Sequence, residues 1–145
     1  MNNIEVSGGK AYQQQYVRSI AQFCIDKLMP RMKTLDINIR LKTIHEDSYG
    51  YCLSTSFREF EIEIDKNMPL RRLLETVAHE MVHVRQYARK QLTGDYTWQG
   101  KTYHPKCCDY WDQPWEIEAH GREVGLFIRW AESQKIGHKK WTLDN

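Results

Sequence analysis

The chain carries almost no excess charge. Its 21 Lys and Arg stand against 19 Asp and Glu, leaving +2. That balance neither demands nor excludes a nucleic-acid partner. No apolar run is long enough to cross a bilayer, which excludes an α-helical membrane span. The opening residues, MNNIEVSGGKAYQQQY, lack the charged-then-apolar pattern of a secretion signal. A cytosolic protein with no membrane partner is the expectation. Repeats and low-complexity linkers are missing, and so are Cys-x-x-Cys pairs. The four cysteines are Cys24, Cys52, Cys107 and Cys108. In a reducing compartment they read as free thiols. Cys24 and Cys52 lie in apolar patterns and are expected in the core. Two adjacent cysteines cannot easily bind one ion together, so Cys107-Cys108 beside His104 is a weak pointer to a structural zinc.

What is present is an ordinary globular composition over 145 residues, with 41% hydrophobic and 28% charged. This is enough for one domain, residues 1–145, with a real core. Five Trp and eight Tyr are concentrated toward positions 87–115. Apolar residues at three- and four-residue steps predict a helix over 11–29, ended by Pro30. Three strand-like stretches follow, at 36–44, 49–57 and 60–66, separated by HEDSYG and by Arg58-Glu59. They read as a small antiparallel meander with one polar face. After Pro69 a long helix is predicted to about Leu92, with Leu70, Leu73, Leu74, Val77, Met81, Val84 and Ala88 in one stripe. Residues 93–113 look like loop. A second helix starts near Pro114, with Ile117, Val124, Ile128 and Ala131 as its expected buried stripe. The tail GHKKWTLDN reads as peripheral. The fold class is therefore α+β, with a small, mostly antiparallel sheet.

Within the long helix stands His79-Glu80-Met81-Val82-His83. With Val77 at 0°, His79 falls at about 200° and His83 at about 240°, nearly opposite the apolar stripe. They share that face with Arg72, Glu75, Gln86 and Lys90. Two readings compete: a solvated polar face, or a histidine pair for a zinc ion with the glutamate as base. A third ligand decides between them. In PWEIEAHGRE (114–123), Glu116, His120 and Glu123 share a face at steps of four and three. Glu116 leads as the ligand, with Glu118 and His120 as alternatives and a simple N-terminal helix carboxylate as the plain reading. On the leading assignment His120 packs alongside Glu116. Two histidines and a glutamate leave the fourth position of a catalytic zinc open to water. Glu80 then serves as general base. Tyr103, His104, Tyr110 and His120 are available to stabilise an oxyanion, with Tyr103 and His120 carried as the catalytic candidates.

HEMVHVRQY, WQGKTYH and PWEIEAHG together resemble small phage and bacterial SprT-like or gluzincin-like metallopeptidases, over roughly residues 70–125. The resemblance implies a minimal zincin fold, a Zn2+ cofactor and a polypeptide substrate. It also implies that Glu116 is the first glutamate of a Glu-x-x-Ala/Ser-Asp pattern, with His120 standing where those families have Asp. Zincins pair an extended substrate with an edge strand above the metal, and FEIEIDK (60–66) is the expected edge. Two other readings remain. One is a non-catalytic zinc-binding interaction module on the same scaffold. The other is a DNA-associated protease, using Arg85, Arg89, Lys90 and Lys139-Lys140 with interleaved aromatics. Tyr96, Trp98, Tyr103 and Trp111 are expected to wall a cleft or build a lid.

Overall fold

The computed structural model describes residues 1–94, 96–104 and 109–143, so Cys107 and Cys108 lie outside the described residues. Chain order runs β1 (Asn3–Gly8), α1 (Ala11–Leu28), β2 (Asp36–Lys42), β3 (Gly50–Ser56), β4 (Glu59–Asp65) and α2 (Leu70–Ala88). Three two-residue strands follow: β5 (Leu92–Thr93), β6 (Thr97–Trp98) and β7 (Lys101–Thr102). A single 3-10 turn at Tyr110–Asp112 leads into α3 (Pro114–Ser133), and α4 (Lys140–Leu143) closes the described chain. The architecture is mixed α+β. Among the described residues no helix is long and apolar enough to cross a membrane.

The sheet departs from the expected meander. Its order is β1-β2-β4-β3. β1 pairs β2 in parallel, β2 pairs β4 in parallel, and only the β3–β4 hairpin is antiparallel. Alternation along a strand reports which face is buried and says nothing of strand direction. The missing piece was β1, too short and too close to Gly8-Gly9 to stand out. Once β1 exists, α1 becomes the crossover that a parallel pair requires. Gly8 makes the exit from β1 with φ +77°, and a Cβ there would lie 2.1 Å from the Leu41 carbonyl oxygen. FEIEIDK is also corrected: the edges are β1 and β3, and β4 is an inner strand. Its Glu61 and Glu63 pair with Arg40, and Glu63 also with Lys42, across the outer face of the sheet. Such half-exposed pairs contribute little stability and mark a solvated face.

The inner face carries Ile37, Ile39 and Leu41 from β2 and Phe60, Ile62 and Ile64 from β4, all buried. α1 and α2 cover it. Pro69, whose fixed φ suits a helix entry, immediately precedes α2, and Lys90 turns left-handed at φ 57° just past its end. Its apolar stripe meets the sheet as expected. Its other face is not solvated: Glu75, His79, Glu80, His83 and Gln86 are all buried, with α3 packed closely along α2.

α3 corrects a second expectation. Trp115, Ala119, Glu123, Phe127, Trp130 and Ala131 are buried, whereas Ile117, Val124 and Ile128 stay 57%, 43% and 44% exposed. The helix is rotated so that Glu116, His120 and Glu123 face α2. Pairing buried polar groups there outweighs hiding the aliphatic stripe, because an unpaired polar group would cost more. The tail is not peripheral either. Trp141 packs against Tyr16, Phe127 and Trp130, with ring centroids 5.2, 6.3 and 6.5 Å away. The Thr142 carbonyl accepts a 2.8 Å hydrogen bond from Arg71 Nη1. The stretch expected as loop contains the small antiparallel β5-β6-β7 sheet. Cys24 is fully buried, while Cys52 is half-buried, packs against the core and also lines a cavity.

Candidate metal centre

Four residues apart on one helix means about 40° of rotation, so His79 and His83 leave α2 side by side. Their ring centroids lie 4.9 Å apart. Pro114 starts α3 facing them, and Glu116 sits in its first turn, where the helix dipole favours a carboxylate. Glu116 Oε1 lies 2.9 Å from His79 Nε2 and 3.2 Å from His83 Nε2. One carboxylate oxygen thus meets the same ring nitrogen of both histidines.

The other ring nitrogens are already committed. His79 Nδ1 is 3.1 Å from Glu123 Oε1, and His83 Nδ1 is 2.7 Å from Gln86 Oε1. The Gln86 amide can point only one way, because its Nε2 donates to the Trp115 carbonyl and to Glu118 Oε1, each at 3.0 Å. Gln86 Oε1 must therefore accept from His83 Nδ1–H, which leaves His83 Nε2 for Glu116 or a metal. Glu123 does the same for His79. It stands three residues beyond His120 on α3. Glu118 serves Gln86 and, at 3.5 Å, Arg122.

His120 is part of the assembly, though at one remove. Its Nδ1 is 2.6 Å from Glu123 Oε1, and its Nε2 is 2.9 Å from the Tyr110 hydroxyl. Tyr110 also donates to Glu116 Oε1 at 3.0 Å. Tyr103 is elsewhere: its ring meets Trp115 edge-on at 5.9 Å, and it is not among the residues lining the cavity. Tyr96 likewise packs on Trp115, at 6.0 Å. Sequence reasoning gave no role to Gln86 or Glu123 and did not prefer Tyr110. The spacing held a signal for the first two, since Gln86 is three residues past His83 and Glu123 seven past Glu116 on the same face. Tyr110 comes from the preceding turn, where no periodicity applies.

The electrostatics follow from burial and these contacts. Burial would lower the His79 pKa, but its hydrogen bonds to Glu116 and Glu123 and the charge of Glu80 together raise it to about 10. His83 is raised too, burial again being outweighed by Glu116 and Glu80. Burial pushes Glu116 up, but the two histidines hold it well below the usual carboxylate range. Glu80 is raised, chiefly by burial, against the pull of His83 and His79. Burial and Glu116 keep the Tyr110 hydroxyl protonated far above neutrality. Among the described residues the Glu80 carboxylate takes no hydrogen bond, and it lines a cavity of about 270 Å³ with His79, His83, Glu116, Tyr110 and Cys52. A second cavity, of about 590 Å³, shares Ser48, Gly50, His79, Glu80 and Tyr110 with the first.

The donor set fits a divalent ion such as zinc. Two imidazole nitrogens and a carboxylate oxygen converge, and each imidazole is oriented through its far nitrogen, as metal-bound histidines usually are. His79, Glu80 and His83 bring ligand atoms within 4.8 Å of one another, and so do His79, His120 and Glu123. The second group is already explained by Glu123 accepting from both imidazoles. No family model, curated protein or solved structure matches the chain.

Proposed function

We propose that the protein is a zinc-dependent metallopeptidase of the SprT-like or gluzincin-like kind, with His79, His83 and Glu116 holding the metal. One observation carries this reading. The Nε2 atoms of both histidines converge on Glu116 Oε1 while both Nδ1 atoms are tied off, and Glu80 stands unbonded on the adjoining cavity. A purely structural site has no use for a carboxylate that faces the cavity beside the two histidines and takes no hydrogen bond from the protein. That difference favours an enzyme over an inert zinc module.

The ion, when bound, supplies Lewis acidity toward water and a carbonyl oxygen. Glu80 takes the proton of the attacking water in the cavity and returns it to the leaving amine. Its raised pKa, caused mainly by burial, suits that exchange. Tyr110 takes over the oxyanion role expected of Tyr103, since its protonated hydroxyl lines the same cavity. His120 orients Tyr110 and Glu123 and is a positioning residue. The substrate backbone adds to the open edge of β3, whose Gly50, Tyr51 and Cys52 border the cavity. The strand GYCLSTS has neither charge nor proline to discourage pairing.

Metal content of the purified wild type, Glu80→Ala and Glu116→Ala tests the reading. One zinc per chain in wild type and Glu80→Ala is expected, with loss in Glu116→Ala. Proteolysis of an unfolded protein substrate should then disappear in Glu80→Ala. A wild type that binds no zinc, or an active Glu80→Ala, would overturn the reading.

A further inference from the structure

We infer that the larger cavity is a side-chain subsite, and that it takes an aromatic residue of the substrate next to the bond that is cut. This inference rests on the peptidase reading. The cavity is about 590 Å³ and continues from the candidate centre through Ser48, Gly50, His79, Glu80 and Tyr110. A chain lying along β3 would pass its mouth.

Three rings supply the walls: Tyr49, Tyr110 and Trp111. Trp111 is stacked on His120 with centroids 4.6 Å apart and planes 35° apart, and Tyr110 meets Trp111 edge-on at 5.3 Å. Arg72 lies over the Tyr49 ring at 5.2 Å. The rings are thus held by neighbours on one side, yet Tyr49 and Trp111 remain 54% and 67% exposed on the other. A substrate ring would cover that surface, and stacked or edge-on ring pairs add attraction beyond simple burial. The floor is Gly50 and Thr76. The Thr76 hydroxyl donates to the Arg72 carbonyl at 2.8 Å, so it asks nothing of a ligand. A Cβ at Gly50 would stand 2.8 Å from the Glu63 carbonyl oxygen and 2.9 Å from Ile64 Cδ1 on β4, with the Thr76 methyl at 3.2 Å, so glycine keeps this part of the floor open.

Charges around the cavity argue against an acidic occupant. A carboxylate side chain would meet Asp47, Glu80 and Glu123. A cationic one would meet Arg72, and of the carboxylates that could attract it Glu123 is already taken by His79 and His120, at 3.1 and 2.6 Å. Phe, Tyr or Trp meets no like charge and covers the exposed ring faces.

The test uses the zinc-loaded full chain on a library of peptides of varied sequence, with cut sites read by mass spectrometry. Phe, Tyr and Trp should be enriched at one position beside the cut bond by about tenfold or more over Asp, Glu, Lys and Arg, the discrimination that pocket contacts commonly give. Trp111→Ala and Tyr49→Ala should each reduce that enrichment several-fold, more than they reduce the number of bonds cut. In parallel, N-acetyl-phenylalaninamide should shift the Trp111 indole N–H resonance of Glu80→Gln, where N-acetyl-alaninamide does not. Cutting without aromatic enrichment, or enrichment that survives both substitutions, would overturn the subsite and leave the peptidase reading standing. If no peptide is cut by the zinc-loaded wild type, the peptidase reading falls and the subsite with it.

Discussion

Gln86 offers the sharpest measurement on this chain. It is fully buried and makes three hydrogen bonds, to His83 Nδ1 at 2.7 Å, the Trp115 carbonyl at 3.0 Å and Glu118 at 3.0 Å. It therefore fixes which nitrogen of His83 faces Glu116 and also ties α2 to the first turn of α3. In Gln86→Ala the His83 N–H is left unpaired in the interior and Glu118 loses a donor, while the Trp115 carbonyl keeps its place in the helical ladder of α3. An orphaned buried group costs about 1–3 kcal/mol and a lost hydrogen bond about 1 kcal/mol, so a loss of about 2–4 kcal/mol is expected. That corresponds to a fall of roughly 6–12 °C in melting temperature at this size. Metal affinity should drop about 10- to 100-fold, as when other groups behind a metal-bound histidine are removed. Gln86→Glu separates the two roles. Its carboxylate can still accept from His83, but it has no hydrogen for the Trp115 carbonyl and it adds a negative charge beside Glu118. It should keep much of the metal affinity while losing stability. Urea unfolding of the metal-free protein and a competition titration for zinc give the two numbers. If Gln86→Ala retains wild-type zinc affinity, the orientation argument for His83 is wrong.

Three further outcomes are expected. In the metal-free protein, the ion pair of His79 with its carboxylates contributes stability that is fully present below the free-imidazole value of 6.5 and fades as pH rises through about 10. Zinc must expel that proton, so apparent zinc affinity should rise with pH across the neutral range, by up to about tenfold per unit for each proton released; a flat profile in a competition titration refutes this. Gly8→Ala should cost about 2–4 kcal/mol from the left-handed φ and the clash with the Leu41 carbonyl, whereas Gly121→Ala, with nothing within 4 Å, should gain about 0.5–1 kcal/mol. Phe127→Ala should lose about 3–5 kcal/mol, and Ile128→Ala should stay within about 0.5 kcal/mol; the reverse order in thermal melts would mean that α3 is rotated the other way.

The long helices were legible because their apolar residues recur at helical steps, and Pro69 and Pro114 mark the entries of α2 and α3. The histidine pair was legible because its spacing alone puts both rings on one face. Strand direction was not, since Ile37-Ile39-Leu41 and Phe60-Ile62-Ile64 alternate identically in parallel and antiparallel ladders. β1 leaves little trace in the sequence because its two half-buried residues, Ile4 and Val6, make too short a pattern. The wrong stripe on α3 has a different cause. Ile117, Val124 and Ile128 form a proper apolar row, but the row with Glu116, His120 and Glu123 has buried partners on α2, and a partner on another element leaves no trace in local periodicity. Tyr110 was hidden for the same reason: its hydroxyl meets Glu116 and His120 across a turn with no repeating order.

α2 is enclosed on both sides, by the sheet and α1 on one and by α3 on the other. This makes it intolerant of a change in phase. One residue inserted between Thr76 and Gln86 would turn everything beyond it by about 100° and advance it by about 1.5 Å. On a helix with a solvent face, such a shift can be absorbed by exposing one residue and burying another. Here an insertion ahead of His83 would swing that ring toward the sheet while aliphatic side chains turned toward Glu116, and both faces would lose their partners. Length and angular register along this helix are therefore fixed more tightly than the identity of most single residues within it.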